Sequence, residues 1–246
     1  MTQAELQKHI YKAYVFLRLG LFLLALGFPF LLWGIGSLNG IHLQDSMSEY
    51  YFAFAPTTSE LRVFPVRVVF VGVLFVLGFF LILYRGFSRT ENWMLNIAGV
   101  CAFLVALFPM PTPDYCTNCG NNPYSFVHYW AAVVLLTCIA FVAWACTEQT
   151  LGELDDDRWR RFFRTCYYVI AIIMIITPVI LRAMTWEVAQ TKWTYIVETV
   201  GTVMFAIYWG LKSWELSKSE AEWNAMKGKV LKPPEPSLRA TLASAL

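Results

Sequence analysis

Along this chain, apolar residues gather into six long runs separated by short polar stretches. The runs extend roughly from Ala13 to Ser37, Val66 to Tyr84, Trp93 to Met110, Phe126 to Cys146, Thr165 to Ala183 and Trp193 to Leu211. About 20 apolar residues at a 1.5 Å rise cover the ~30 Å hydrocarbon core of a bilayer. A helix at the surface of a soluble protein alternates apolar and polar faces, whereas these runs are apolar all round. The pattern predicts an all-α, polytopic transmembrane bundle of six helices. Residues 1–214 form the transmembrane domain and residues 215–246 a C-terminal tail. The first run is too long for a signal-peptide core and reads as a retained helix.

Composition sharpens the picture. The chain is 58% hydrophobic and 15% charged, and its net charge of +2 gives no footing for nucleic acid. Lys and Arg alternate from loop to loop. Lys8 and Lys12, then Arg85 and Arg89, then Arg158, Arg160, Arg161 and Arg164, then Lys212, Lys218, Lys227, Lys229 and Lys232 fall on one side. That bias assigns both termini to the cytoplasm. Arg18 reads as a snorkelling side chain near the cytoplasmic end of the first span. Glu153–Arg164 combines three Asp residues suited to a helix start with a topology-setting charge run. The tryptophans near span ends, among them Trp93, Trp130, Trp186, Trp193 and Trp214, form an aromatic belt. Ala98, Ala102 and Ala106 make a small-residue stripe for bundle packing. Asn96 reads as an interhelical hydrogen bond.

Chemistry-bearing residues gather towards the opposite, outer side. Asp45-Ser46-Met47-Ser48-Glu49-Tyr50-Tyr51 occupies the first outer segment, and Arg67 lies just inside the second span. His128 and Tyr129 open the fourth span, and Glu198 lies about one and a half turns into the sixth. An ionisable residue at that depth is a functional candidate and needs a partner. Arg67 is the first choice for Glu198 and His128 the second. The catalytic candidates are Glu198, His128 and Ser48. The substrate-binding candidates are Arg67, Glu49, Tyr50 and Tyr51.

Cys116 and Cys119 form a CxxC in the second outer loop. On an oxidising side it reads as a disulfide. Free thiols and a zinc site with His128 are the alternatives, but one CxxC and one histidine fall short of two ligand pairs. No resident metal or cofactor is expected. Cys101, Cys138, Cys146 and Cys166 read as small apolar fillers. No phosphate loop, GxSxG or HExxH occurs.

Ser46-Met47-Ser48-Glu49-Tyr50-Tyr51, Val69-Phe70-Val71-Gly72, Ala106-Leu107-Phe108-Pro109, His128-Tyr129 and Glu198 resemble an uncharacterised bacterial family of six-helix membrane proteins, of the domain-of-unknown-function type. In outline the chain is also similar to the DRAM-like proteins and, more distantly, to the CREST membrane hydrolases. The latter use Ser, Asp and three His around zinc, whereas only His128 touches a span here. The resemblance implies an architecture, placed in a bacterial inner membrane, without an activity. Lacking a complete catalytic constellation, the chain reads first as a lipid-interacting or non-catalytic subunit of a membrane assembly. Its partners would be membrane lipids and other membrane subunits. The alternative is a membrane-embedded enzyme acting on a lipid or lipid-linked substrate at the outer leaflet. Transport would call for interrupted spans and inverted repeats; Pro29 and Pro178 break the first and fifth runs without internal symmetry.

Overall fold

The computed structural model describes residues 2–56, 63–111, 124–183 and 192–228. Six helices in it are long and apolar enough to cross a membrane. Helix α1 (Gln3–Leu38) starts at a capping box, in which Thr2 Oγ accepts from the Glu5 N–H and Glu5 accepts from the Thr2 N–H. The polar lead and the first span are thus one helix. Pro65, whose missing N–H costs nothing in a first turn, opens α2 (Pro65–Leu83). Ser88 caps α3 (Arg89–Leu107) by accepting from the Glu91 N–H. Helix α4 (Ser125–Phe141) passes through a π-helical turn, Val142–Cys146, into the short α5 (Glu148–Leu151). Helix α6 (Asp157–Ala183) begins where the Asp run sits, as expected, and α7 (Trp193–Ser219) carries the sixth span. Both α1 and α6 continue through their prolines.

The spans pack as a ring in chain order, α1 on α2, α2 on α3, α3 on α4, α4 on α6 and α6 on α7, with α7 returning to α1. Leu21, Ala25, Leu32, Leu95, Ala98, Ala102, Ile139, Met174 and Ala206 are buried within it. Phe16, Phe30, Val68, Phe79 and Val179 point outward, where lipid is the natural solvent. The described tryptophans Trp93, Trp130, Trp193 and Trp214 are exposed near helix ends, as an aromatic belt requires.

At one end of the bundle, a short helix α8 (Ala221–Met226) folds back on α1. Gln7 Nε2 donates to the Met226 carbonyl and the Tyr11 and Trp223 rings meet edge-on, so the two described chain ends share a face. The other end, here the loop face, carries residues 39–56 with a 3₁₀ turn at Ser48–Tyr51.

Candidate functional site

Loop 39–56 folds over the mouth of the ring because α7 holds it. Ser46 Oγ lies 2.9 and 3.0 Å from the two carboxylate oxygens of Glu198, and the Met47 N–H donates to Glu198 Oε2 at 2.6 Å. The Tyr195 N–H donates to the Asp45 carbonyl at 2.8 Å. Glu49 closes the turn from within, accepting from the Asp45 N–H at 3.0 Å. Burial pushes its carboxyl above the usual range, against that hydrogen bond, which lowers it. Tyr50 is fully buried, with its ring against Gly36 and near Tyr195. A Cβ at Gly36 would come 2.9 Å from the Tyr50 ring, so only glycine leaves room.

These restraints deliver Ser48 to His128. Ser48 Oγ lies 2.8 Å from His128 Nε2, while His128 Nδ1 faces the carbonyl oxygens of Val105 at 3.0 Å and Phe108 at 2.8 Å. A carbonyl oxygen only accepts, so Nδ1 carries the proton. In the neutral ring Nε2 is then an acceptor, and the Ser48 hydroxyl donates to it. His128 is buried and its ring also caps the last carbonyls of α3. The result is a serine whose hydroxyl proton points at a base of fixed tautomer.

Glu198 does not pair with Arg67 or with His128. The loop's own hydroxyl and N–H groups reach it first. Arg67 instead donates from Nε to the Tyr51 carbonyl at 2.6 Å, with its guanidinium over the Tyr51 ring at 4.4 Å and the Phe64 ring at 3.9 Å. Among the described residues no carboxylate is paired with it. The structure therefore brings Ser48 and His128 together, joins Glu198 to Ser46, and sets Arg67 beside Tyr51. Cys116 and Cys119 lie outside the described residues, and with them the disulfide and the zinc alternative. Cys101, Cys138 and Cys146 are buried, as apolar fillers would be.

A second polar network, at the face carrying the chain ends, was not anticipated as a unit. Arg18 does not snorkel. It is 1% exposed and bidentate to Glu222 of α8 at 2.6 and 2.8 Å, because α8 folds over it. Lys212 is buried as well: its Nζ donates to Thr150 Oγ1 at 2.6 Å and to Glu215 Oε2 at 3.0 Å inside the bundle. The Tyr167 hydroxyl donates to the same Glu215 oxygen at 2.7 Å. In the charge run, Arg158 and Arg161 are exposed, but Arg164 is bidentate to Glu148 at 2.8 and 2.9 Å. A spacing of three from Lys212 to Glu215 was the available signal.

Comparison with family models decides the kinship. The model for a protein family of unknown function, DUF998, matches residues 23–214. The chain belongs to that family. The matched region runs from within α1 to the last turns of α7, so Ser46, Ser48, Arg67, His128 and Glu198 all lie inside it. No curated protein and no solved structure matches the chain.

Proposed function

We propose that this DUF998 protein is a membrane-embedded serine acyl hydrolase that cleaves a lipid ester at the loop face of the bundle. One observation carries the reading: Ser48 Oγ at 2.8 Å from His128 Nε2, with Nδ1 fixed by two carbonyl oxygens. A serine is a weak nucleophile until an adjacent base accepts its proton. Here Ser48 Oγ attacks the ester carbonyl as its proton passes to Nε2. The imidazolium so formed keeps its Nδ1–H on the two carbonyl oxygens, which fix the ring and offer their dipoles where a triad has a carboxylate's charge. His128 then returns the proton to the departing alcohol, leaving an acyl-serine. Water, deprotonated by His128, releases the acid and restores Ser48. Glu198 acts at one remove: it fixes Ser46 and Met47, the residues that set the position of Ser48. Arg67 supplies positive charge for an anionic headgroup. The Lys and Arg bias supports the loop face as the outer one.

The non-catalytic reading has its own support in the Glu198–Ser46–Met47 contacts, which also serve simply to staple the loop to α7. Reconstituted protein supplied with fluorogenic phospholipid esters separates the two. Turnover should fall by about two to four powers of ten in S48A and in H128Q, the range that a nucleophile–base pair contributes. Turnover equal in wild type and S48A would leave the stapled, non-catalytic subunit.

A further inference from the structure

At the end of the bundle opposite Ser48, the turn from α2 to α3 borders an open cavity of about 470 Å³ lined by Arg85, Gly86, Phe87, Ser88, Arg89, Asn92, Trp93 and Asn96. Its size is that of a small-molecule site. We propose that it binds the headgroup of an anionic phospholipid.

Charge complementarity is the first argument. Arg85 and Arg89 are exposed, and among the described residues neither is paired with a carboxylate. Both stand at the N-terminal, positive end of the 19-residue α3. The nearby carboxylate is turned away: Glu91 is 2% exposed and accepts from the Phe87 N–H at 2.8 Å. Polar donors come next. Asn92 spends its side-chain oxygen on the Gly86 N–H at 2.7 Å, which leaves its NH₂ group for a ligand. Asn96, expected to bridge helices, has no hydrogen bond to another described side chain and lines the cavity instead.

The third argument selects a lipid over a free anion. Arg89, Asn92, Trp93 and Asn96 lie on one stripe of α3, at helical spacing. That stripe continues into Ile97 and Val100, both exposed, with exposed Leu83 alongside at the end of α2. Arginine fork, amide donors, an interfacial indole and then an apolar track follow one another as phosphate, glycerol and acyl chain do in a phospholipid. Trp93, 58% exposed, sits where an indole prefers the headgroup boundary.

Native mass spectrometry of the full chain, released from micelles containing equal phosphatidylglycerol and phosphatidylcholine, tests the site. One phosphatidylglycerol should be retained per chain. R85Q/R89Q should weaken that retention roughly thirtyfold, the factor expected when two basic side chains at an anionic surface are lost. R158Q/R161Q removes two exposed arginines elsewhere and should leave it unchanged. If both double variants lose lipid equally, the attraction is diffuse and the site does not exist. Displacement of the lipid by inorganic phosphate would assign the cavity to a free anion and overturn the proposal, as would equal retention of the two lipids. Thermal melting of each variant in the same micelles separates lost binding from lost fold.

Discussion

At the residue scale, polar side chains in an apolar sequence marked a candidate site, but not who would bond to whom. His128 and Glu198 were legible because an ionisable side chain within a span is a costly choice, and Ser48 because it lies in the polar outer segment on their side. Arg67 looked the natural partner of Glu198 on charge alone. The folded loop supplies other partners: a hydroxyl and a backbone N–H, 152 and 151 residues away along the chain, solvate the carboxylate in place of a guanidinium. No pattern in the sequence reports the path of loop 39–56, and that path decides both pairings. Glu49 carries a testable consequence. Burial raises its carboxyl above the unfolded value, so the folded protein binds more protons there between the two values, and stability falls as pH rises through that window. E49Q should flatten this fall as pH rises above the ordinary carboxylate range in thermal unfolding of the micellar protein. A curve parallel to wild type would contradict the half-buried, protonatable Glu49.

At the element scale, the six spans were legible in full and their ends were not. Hydrophobicity stops being informative where α1 extends to Gln3 and α7 to Ser219, because caps and buried ion pairs, rather than lipid, support those turns. Ala98, Ala102 and Ala106 are buried as the stripe required. Yet the backbones of α2 and α3 also come close beside that stripe, at two glycines. A Cβ on Gly99 would come 2.7 Å from the Gly78 carbonyl oxygen, and one on Gly78 would come 2.8 Å from the Gly99 oxygen. Backbone cannot yield as a side-chain tip can. G99A should therefore destabilise the bundle by about 1–3 kcal/mol in denaturing-detergent titration. G72A, whose Cβ meets nothing within 4 Å, should be neutral or stabilise by up to about 1 kcal/mol. Equal effects at the two positions would refute the close contact.

At the scale of the whole molecule, a ring of six helices carries a polar network at each mouth. The one beneath α8 was illegible in advance, since Arg18 and Glu222 are 204 residues apart and meet only after the chain has circled the bundle. Removing one partner of such a buried pair strands the other. R18M should cost about 3–5 kcal/mol, while R18M/E222M should recover most of that loss. Equal losses in the single and double variants would show that the pair does not couple α8 to α1. The loop-face mouth joins elements just as distant: α7 holds the loop, the end of α3 supplies two carbonyls, and α4 supplies the base. The reading of function rests on that convergence having activated one particular hydroxyl. Fluorophosphonate labelling of the wild-type protein in native membranes, followed by peptide mapping, asks this directly. A single adduct on Ser48, lost in H128Q while Ser46 stays unmodified, is the predicted result. An unlabelled Ser48 in folded protein, or equal labelling in H128Q, would contradict it.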